Sequence, residues 1–228
     1  MQLEKTTKDR SADAKRSYDD ACGTAHALDL IGERWALLVL RELMLGPRRF
    51  SELKADLPGI SSNVLAQRLV ELEQRGLARK LRLPPPASVQ VYEATEWGLE
   101  AEPIVQALGR WAARSPRHDP TLPISGVSIL LSFRTMIDRE KARDIVARIG
   151  FRFGEAGYVA RLQNGGIDVA RGDPAGCDVI FTAEPTALAA VIYGGAPLDG
   201  IGVEGDLALA KRFTTLFPLP PKVAYPPY

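Results

Sequence analysis

Ser61, Ser62, Asn63, Gln67 and Arg68 fall within eight consecutive positions. Asparagine, glutamine and arginine can make paired hydrogen bonds to the edge of a nucleobase, and a serine hydroxyl reaches base or phosphate alike. At the start of a helix such residues gain the uncommitted backbone N–H groups of the first turn, which attract phosphate. Cationic side chains flank them, with Arg48 and Arg49 before and Arg79, Lys80 and Arg82 after. From Pro47 to Arg82 eight basic residues stand against four acidic ones, although the formal charge of the whole chain is only +1. The basic excess is therefore concentrated where a polyanion would be met.

No competing chemistry is written in the sequence. Cys22 and Cys177 are far apart and form no metal-ligand pattern, and His26 and His118 are too few for a histidine site. No paired carboxylates or nucleophile–base spacing stand out, so the expectation is a protein that is not an enzyme and carries no metal or cofactor. There is no apolar run of spanning length and no basic start leading into an apolar core. A cytoplasmic protein that does not enter a membrane is expected.

The polar cluster needs elements to hold it. The spacing predicts a helix over 51–57, with Ser51 as N-cap and Phe50 stapling its entry. Pro58-Gly59 stops that helix. Ser61 or Ser62 then caps a second helix, whose Val64, Leu65, Leu69 and Leu72 recur at helical spacing and which Gly76 ends. An alternating segment over 78–83 and a return strand over 89–95, with Pro84-Pro85-Pro86 stiffening the tip between them, complete a winged helix-turn-helix. Upstream, 25–31 reads as a short helix. The strongly apolar stretch 33–45, with Trp35, Leu37, Leu38, Val39 and Leu40, reads as the buried floor beneath the two DNA-facing helices. Residues 1–17 are polar and charge-mixed, which predicts a mobile arm.

Residues 116–123 contain three prolines among polar residues and read as a linker. Beyond it, helices are expected over 124–136, 138–143, 184–193 and 206–217. Strands are expected over 145–153, 158–163, 167–171 and 178–182, with Asn164-Gly165-Gly166 as a hairpin turn. Helices against an antiparallel sheet give an α+β domain over 124–221, followed by a tail over 222–228.

With these residues in view, 18–115 resembles the HxlR-type family of bacterial winged-helix transcriptional regulators. The matching pieces are Cys22 ahead of Ala27-Leu28-Asp29-Leu30-Ile31-Gly32, then Arg34-Trp35, Gly46-Pro47-Arg48-Arg49-Phe50, Gly59-Ile60-Ser61, Leu65, Arg68-Leu69, Leu72-Glu73 and Gly76-Leu77. The resemblance implies a homodimer on a palindromic operator, built from 18–31 and a helix over 96–114 with Leu99, Ile104, Leu108, Trp111 and Ala112 on one stripe. One recognition helix reads few base pairs, so two half-sites roughly 34 Å apart would supply specificity. In some members of this family a cysteine at the position of Cys22 senses oxidants or electrophiles. Such a role needs a depressed thiol pKa, which His26 one turn on would favour and Asp19 and Asp20 would oppose.

The run Ala183-Glu184-Pro185-Thr186-Ala187-Leu188, with Val203-Glu204-Gly205-Asp206 leading into Leu207-Ala208-Leu209-Ala210, resembles the sterol-carrier-protein type two fold. That resemblance implies an apolar tunnel for a lipophilic effector, with Phe133, Phe151, Phe153, Phe181, Leu188, Tyr193, Phe213 and Phe217 as lining.

Overall fold

The computed structural model describes residues 17–224. Apart from Ser17, the arm expected over 1–17 lies outside the described residues, as do residues 225–228 of the expected tail.

The first half runs α1 (Gly23–Ile31), α2 (Ala36–Glu42), α3 (Phe50–Asp56), α4 (Ser62–Gln74), β1 (Ala78–Arg82), β2 (Gln90–Ala94), α5 (Glu96–Leu99) and α6 (Glu102–Ala112). The second half is α7 (Gly126–Met136), β3 (Ala147–Phe153), β4 (Ala156–Gln163), β5 (Gly166–Arg171), β6 (Val179–Thr182), α8 (Pro185–Tyr193), β7 (Gly202–Gly205) and α9 (Leu207–Thr214). No helix among the described residues is long and apolar enough to cross a membrane.

Several boundaries differ from the sequence reading, each for a local reason. Ser51 does not cap α3. Arg49 takes the N-cap position, and Glu52 reaches back to accept its backbone N–H at 2.9 Å. The apolar stretch 33–45 is helical only over α2, because Trp35 sits at φ 78° and blocks a helical turn before it. The helix expected over 96–114 is broken between α5 and α6, with a proline in the first turn of α6. Residues 138–143 form turns rather than a helix, since the Asp138 carboxylate accepts the N–H groups of Glu140 and Lys141 at 3.2 Å each. Strand β7 was not expected at all, and its four residues pair antiparallel with β6.

The five-stranded sheet has the order β5-β4-β3-β6-β7. Only the β3–β6 pair is parallel. Asn164 and Gly165 turn the β4–β5 hairpin with φ of 52° and 71°, a left-handed pair that asparagine and glycine accommodate. Alternation along β3 buries Ala147, Ile149, Phe151 and Phe153 and leaves Arg148 outside, as the pattern predicts.

The buried face of this sheet does not enclose the expected tunnel. Phe133 of α7 lies 4.5 Å from Phe217, 5.5 Å from Phe213 and 5.8 Å from Phe151 between ring centroids, and Phe151 stacks on Phe181 at 5.8 Å. These rings pack with Phe153 and Leu188 into one core. Of the eight expected lining residues, Tyr193 borders a cavity that lies against the first half of the chain.

The two halves share one hydrophobic core, so residues 116–123 join them in sequence without separating two cores. Polar contacts lock the seam. Ser125, the N-cap of α7, donates to the buried Glu42 carboxylate of α2 at 2.8 Å. Arg134 of α7 pairs with Glu102 of α6 and Asp168 of β5, each at 2.7 Å. Lys222 donates to the carbonyls of Ala113, Ser115 and His118 beyond α6, at 3.1, 3.0 and 3.1 Å.

A shared core predicts one cooperative unfolding transition. Tryptophan fluorescence, whose three reporters all lie in the first half, and far-ultraviolet circular dichroism should give coincident urea midpoints. Phe133→Ala should cost about 3–5 kcal/mol and move both together. A fluorescence midpoint that stays in place while the dichroism midpoint falls would contradict the shared core.

Candidate nucleic-acid interface

Helix α4 is held by three leucines. Leu65, Leu69 and Leu72 are fully buried at helical spacing, on the side where α2 packs. Their burial fixes the roll of the helix about its axis and turns Ser62, Asn63 and Gln67 outward. Ser61 caps the helix, its Oγ accepting the Val64 N–H at 3.2 Å. The turn into it needs Gly59 at φ 90°, and the Trp35 ring closes over the spot where a Cβ would stand, at 3.8 Å.

Beside the helix, β1 and β2 pair from Ala78↔Ala94 to Arg82↔Gln90. A further bond from Leu83 N–H to Val89 carbonyl, 2.9 Å, carries the ribbon toward its tip. The wing is tied to the loop before α3 by reciprocal backbone bonds between Arg48 and Tyr92, both 2.8 Å. Lys80 rests 6.0 Å from the centroid of the Tyr92 ring, and Arg79 pairs with Glu93 at 2.5 Å while staying exposed. Arg82 is exposed as well.

Eight of the ten expected contact residues are therefore on the surface: Arg49, Ser61, Ser62, Asn63, Gln67, Arg79, Lys80 and Arg82. Arg48 and Arg68 are corrected to structural roles. Arg48 is 6% exposed and its guanidinium meets Asp56, Glu52 at 3.3 Å and the Tyr158 hydroxyl at 3.4 Å. Arg68 is 8% exposed and meets Glu71 and, at 3.4 Å, Glu33. Arg68 lies one residue before Leu69, so the roll that buries the leucines also carries it inward, where a guanidinium has to be paired. Arg34 was not anticipated at this surface. It is exposed, 5.6 Å from the centroid of the Trp35 ring that covers the helix-turn-helix turn. Its place beside Trp35 was the available signal.

Cys22 is exposed at the N-cap of α1. The backbone N–H groups of Ala25 and Thr24, with the Thr24 side chain, hold its thiol below the ordinary value. That work falls to the helix start rather than to the His26 imidazole expected from sequence. Cys177 is half-buried, and burial pushes its thiol up.

A capped helix with a polar, outward leading edge, a preceding helix joined by a glycine turn, and a cationic two-stranded ribbon define a winged helix-turn-helix. Residues 30–119 match the HxlR-like helix-turn-helix family. The HTH-type transcriptional regulator YodB of Bacillus subtilis (strain 168) is 38% identical over 86 residues, covering 38% of this chain and 77% of YodB. YkvN of the same organism, an uncharacterized HTH-type transcriptional regulator, is 44% identical over 92 residues, covering 40% of this chain and 77% of its own. The solved structure of the reduced form of YodB is 34% identical, covering 44% of this chain and 100% of that chain with a TM-score of 0.39. The chain belongs to the HxlR-like helix-turn-helix family.

The two classes of arginine should separate by stability. Arg68→Ala removes the cation between Glu71 and the partly exposed Glu33 and is expected to cost about 1–3 kcal/mol. Arg82→Ala, in solvent, should stay within about 0.5 kcal/mol of the parent chain. Urea midpoints of the two variants check this.

Proposed function

We propose that this protein is a sequence-specific DNA-binding transcriptional regulator that acts as a homodimer on a palindromic operator. The observation that carries the reading is the exposed leading edge of α4, Ser61, Ser62, Asn63 and Gln67, beside the cations of the wing. Asn63 and Gln67 supply base contacts in the major groove. Arg49, Arg79, Lys80 and Arg82 supply phosphate contacts on either side.

Dimer formation is supported by an apolar face that the chain leaves uncovered. Neither α1 nor α6 has a single buried residue. Leu28, Trp97, Leu99, Ile104 and Leu108 are each more than 40% exposed, and Trp111 is 73% exposed. Apolar surface left open on these helices favours association. A second copy would cover it and present a second α4 to the same duplex.

For the second half, the sterol-carrier-like resemblance remains a reading of its fold. The Asp206 carboxylate of the Glu204-Gly205-Asp206 run caps α9 by accepting the N–H groups of Ala208 and Leu209 at 2.8 and 3.0 Å. Modulation by a lipophilic effector is part of the proposal, with its site placed elsewhere than in the filled aromatic core.

Footprinting on the DNA flanking the protein's own gene, with binding measured across salt, tests the DNA reading. Two protected half-sites about one helical turn apart are expected, with affinity falling about 10³-fold or more between 50 and 200 mM salt if six or more phosphates are met. Arg82→Ala should weaken all sequences alike and flatten the salt slope by about one per protomer, about two for the dimer, whereas Asn63→Ala should lose about 1–3 kcal/mol of discrimination at one base pair per half-site. Salt-independent binding, or no protected sequence, would remove the reading.

Control through Cys22 is a second reading, favoured by its exposure and its lowered thiol pKa. The thiolate is the nucleophile, so the alkylation rate of Cys22 should reach half its plateau at a pH below the ordinary thiol value. The rate for Cys177 should do so above that value. Mass spectrometry after timed iodoacetamide treatment measures both, and diamide should change operator affinity in the parent chain but not in Cys22→Ser.

A further inference from the structure

Where the two halves meet, a cavity of about 520 Å³ opens between α2, α6, the segment 118–124, α7 and α8. Its walls are largely apolar, among them Leu37, Val105, Leu108, Leu131 and Met136. Ser128, Ser132 and Thr135 of α7 also face it. They are spaced i, i+4, i+7 on a helix whose other residues are mostly apolar, so a polar stripe runs along one wall. The volume suits a drug-sized molecule, and apolar walls with a few convergent polar groups are the usual make-up of a small-molecule site.

The hydrogen-bond inventory narrows what fits. Ser132 Oγ lies 2.6 Å from the Ile129 carbonyl and 2.6 Å from Tyr193 Oη. A carbonyl only accepts, so the serine proton goes to Ile129 and the tyrosine donates to Ser132. Tyr193 Oη then has its proton committed and its lone pairs free, which makes it an acceptor. Burial pushes its phenol up, so it stays neutral. At the rim, Arg41 is held against Glu42 at 2.7 Å, and burial lowers the pKa of His118 and favours neutral imidazole. Asp119 shares the rim with Arg41 and His118, and the hydroxyls of Ser128 and Thr135 line the wall beside Tyr193. Apolar walls whose inner polar groups are neutral hydroxyls, Tyr193 Oη among them an acceptor with its proton already committed, suit an uncharged molecule with a hydroxyl donor.

We propose that this seam cavity binds a largely apolar alcohol or phenol, whose hydroxyl donates to Tyr193 Oη. The site is distinct from the filled aromatic core of the sheet. One wall is α2, which also packs against α4, so an occupant touches the floor of the recognition helix. Binding there is placed to couple to operator affinity, and the coupling is reciprocal. That consequence rests on the DNA-binding reading, whereas the test of the site uses no DNA and stands or falls separately.

The test is fluorescence titration of the full chain with 1-hydroxypyrene and with 1-methoxypyrene, which lacks the donor. One saturable site per protomer is expected for 1-hydroxypyrene, bound about 3–10-fold more tightly than the ether, as one neutral hydrogen bond gives. Tyr193→Phe should abolish that preference. Gly109 lines the cavity, and a Cβ built on it meets nothing within 4 Å. Gly109→Phe should therefore fill the cavity and eliminate saturable binding of both probes with the unfolding midpoint retained. Ala112→Phe, at an exposed lining position, is the second blocking variant should the first misfold. Binding that never saturates, or that survives both blocking variants, overturns the site. Equal affinity for both probes overturns the hydroxyl assignment. A site that appears only when dimers dissociate means that a second copy of the chain occupies it, which also overturns the proposal.

Discussion

Helix α7 has almost no solvent face, and the architecture answers to that constraint. Eight of its residues, Gly126, Val127, Ile129, Leu130, Leu131, Phe133, Thr135 and Met136, are buried. A helix apolar nearly all round has to be covered on every side. The sheet and α9 cover one side of α7, while α2, α6 and α8 approach from the others. The winged-helix half is thus part of the solvent shield of the second half. At the join, burial pushes the Glu42 carboxyl above the ordinary carboxylate range, while Arg41 and Ser125 act in the opposite direction. Breaking the seam would expose the apolar surface of α7 and strip Glu42 of its Ser125 partner.

The same economy governs the DNA-facing half. Burying Leu65, Leu69 and Leu72 decides which residues of α4 face outward, and it decides it for all of them together. Asn63 and Gln67 are placed on the surface by the rotation that withdraws Arg68. Trp35 contributes from a distance in sequence: its left-handed backbone ends the preceding turn and starts α2, and its ring covers Gly59. A residue outside both helices of the motif therefore packs on the turn between them.

Side-chain satisfaction explains which cations remain available. Arg48 and Arg68 are spent on carboxylates inside the protein, and Arg134 on α6 and β5. Arg75 donates to the Leu30 carbonyl at 2.7 Å and ties α4 to α1. Arg34, Arg49, Arg79, Lys80 and Arg82 stay exposed, and Lys54 is half-buried. The apparent basic excess of the winged-helix stretch is thus smaller at the surface than in the sequence.

The sequence by itself determined the helix, turn, capped helix and two-stranded wing of the first half, the helix that opens at Asp206, the β4–β5 hairpin and the alternation of β3. These depend on local rules: a serine or aspartate oxygen reaching an N–H two or three residues on, an Asn-Gly pair entering left-handed backbone, a side chain alternating across a strand. Only the tertiary structure decided that Arg48 and Arg68 are buried, that the aromatics of the second half fill space instead of lining it, and that both halves share one core. It also decided β7, since four residues with two glycines carry little strand signal until β6 offers an edge. Each of these outcomes depends on what lies opposite a residue in space. Chain-local periodicity specifies which face is apolar, whereas the partner that covers that face is fixed only when distant segments pack.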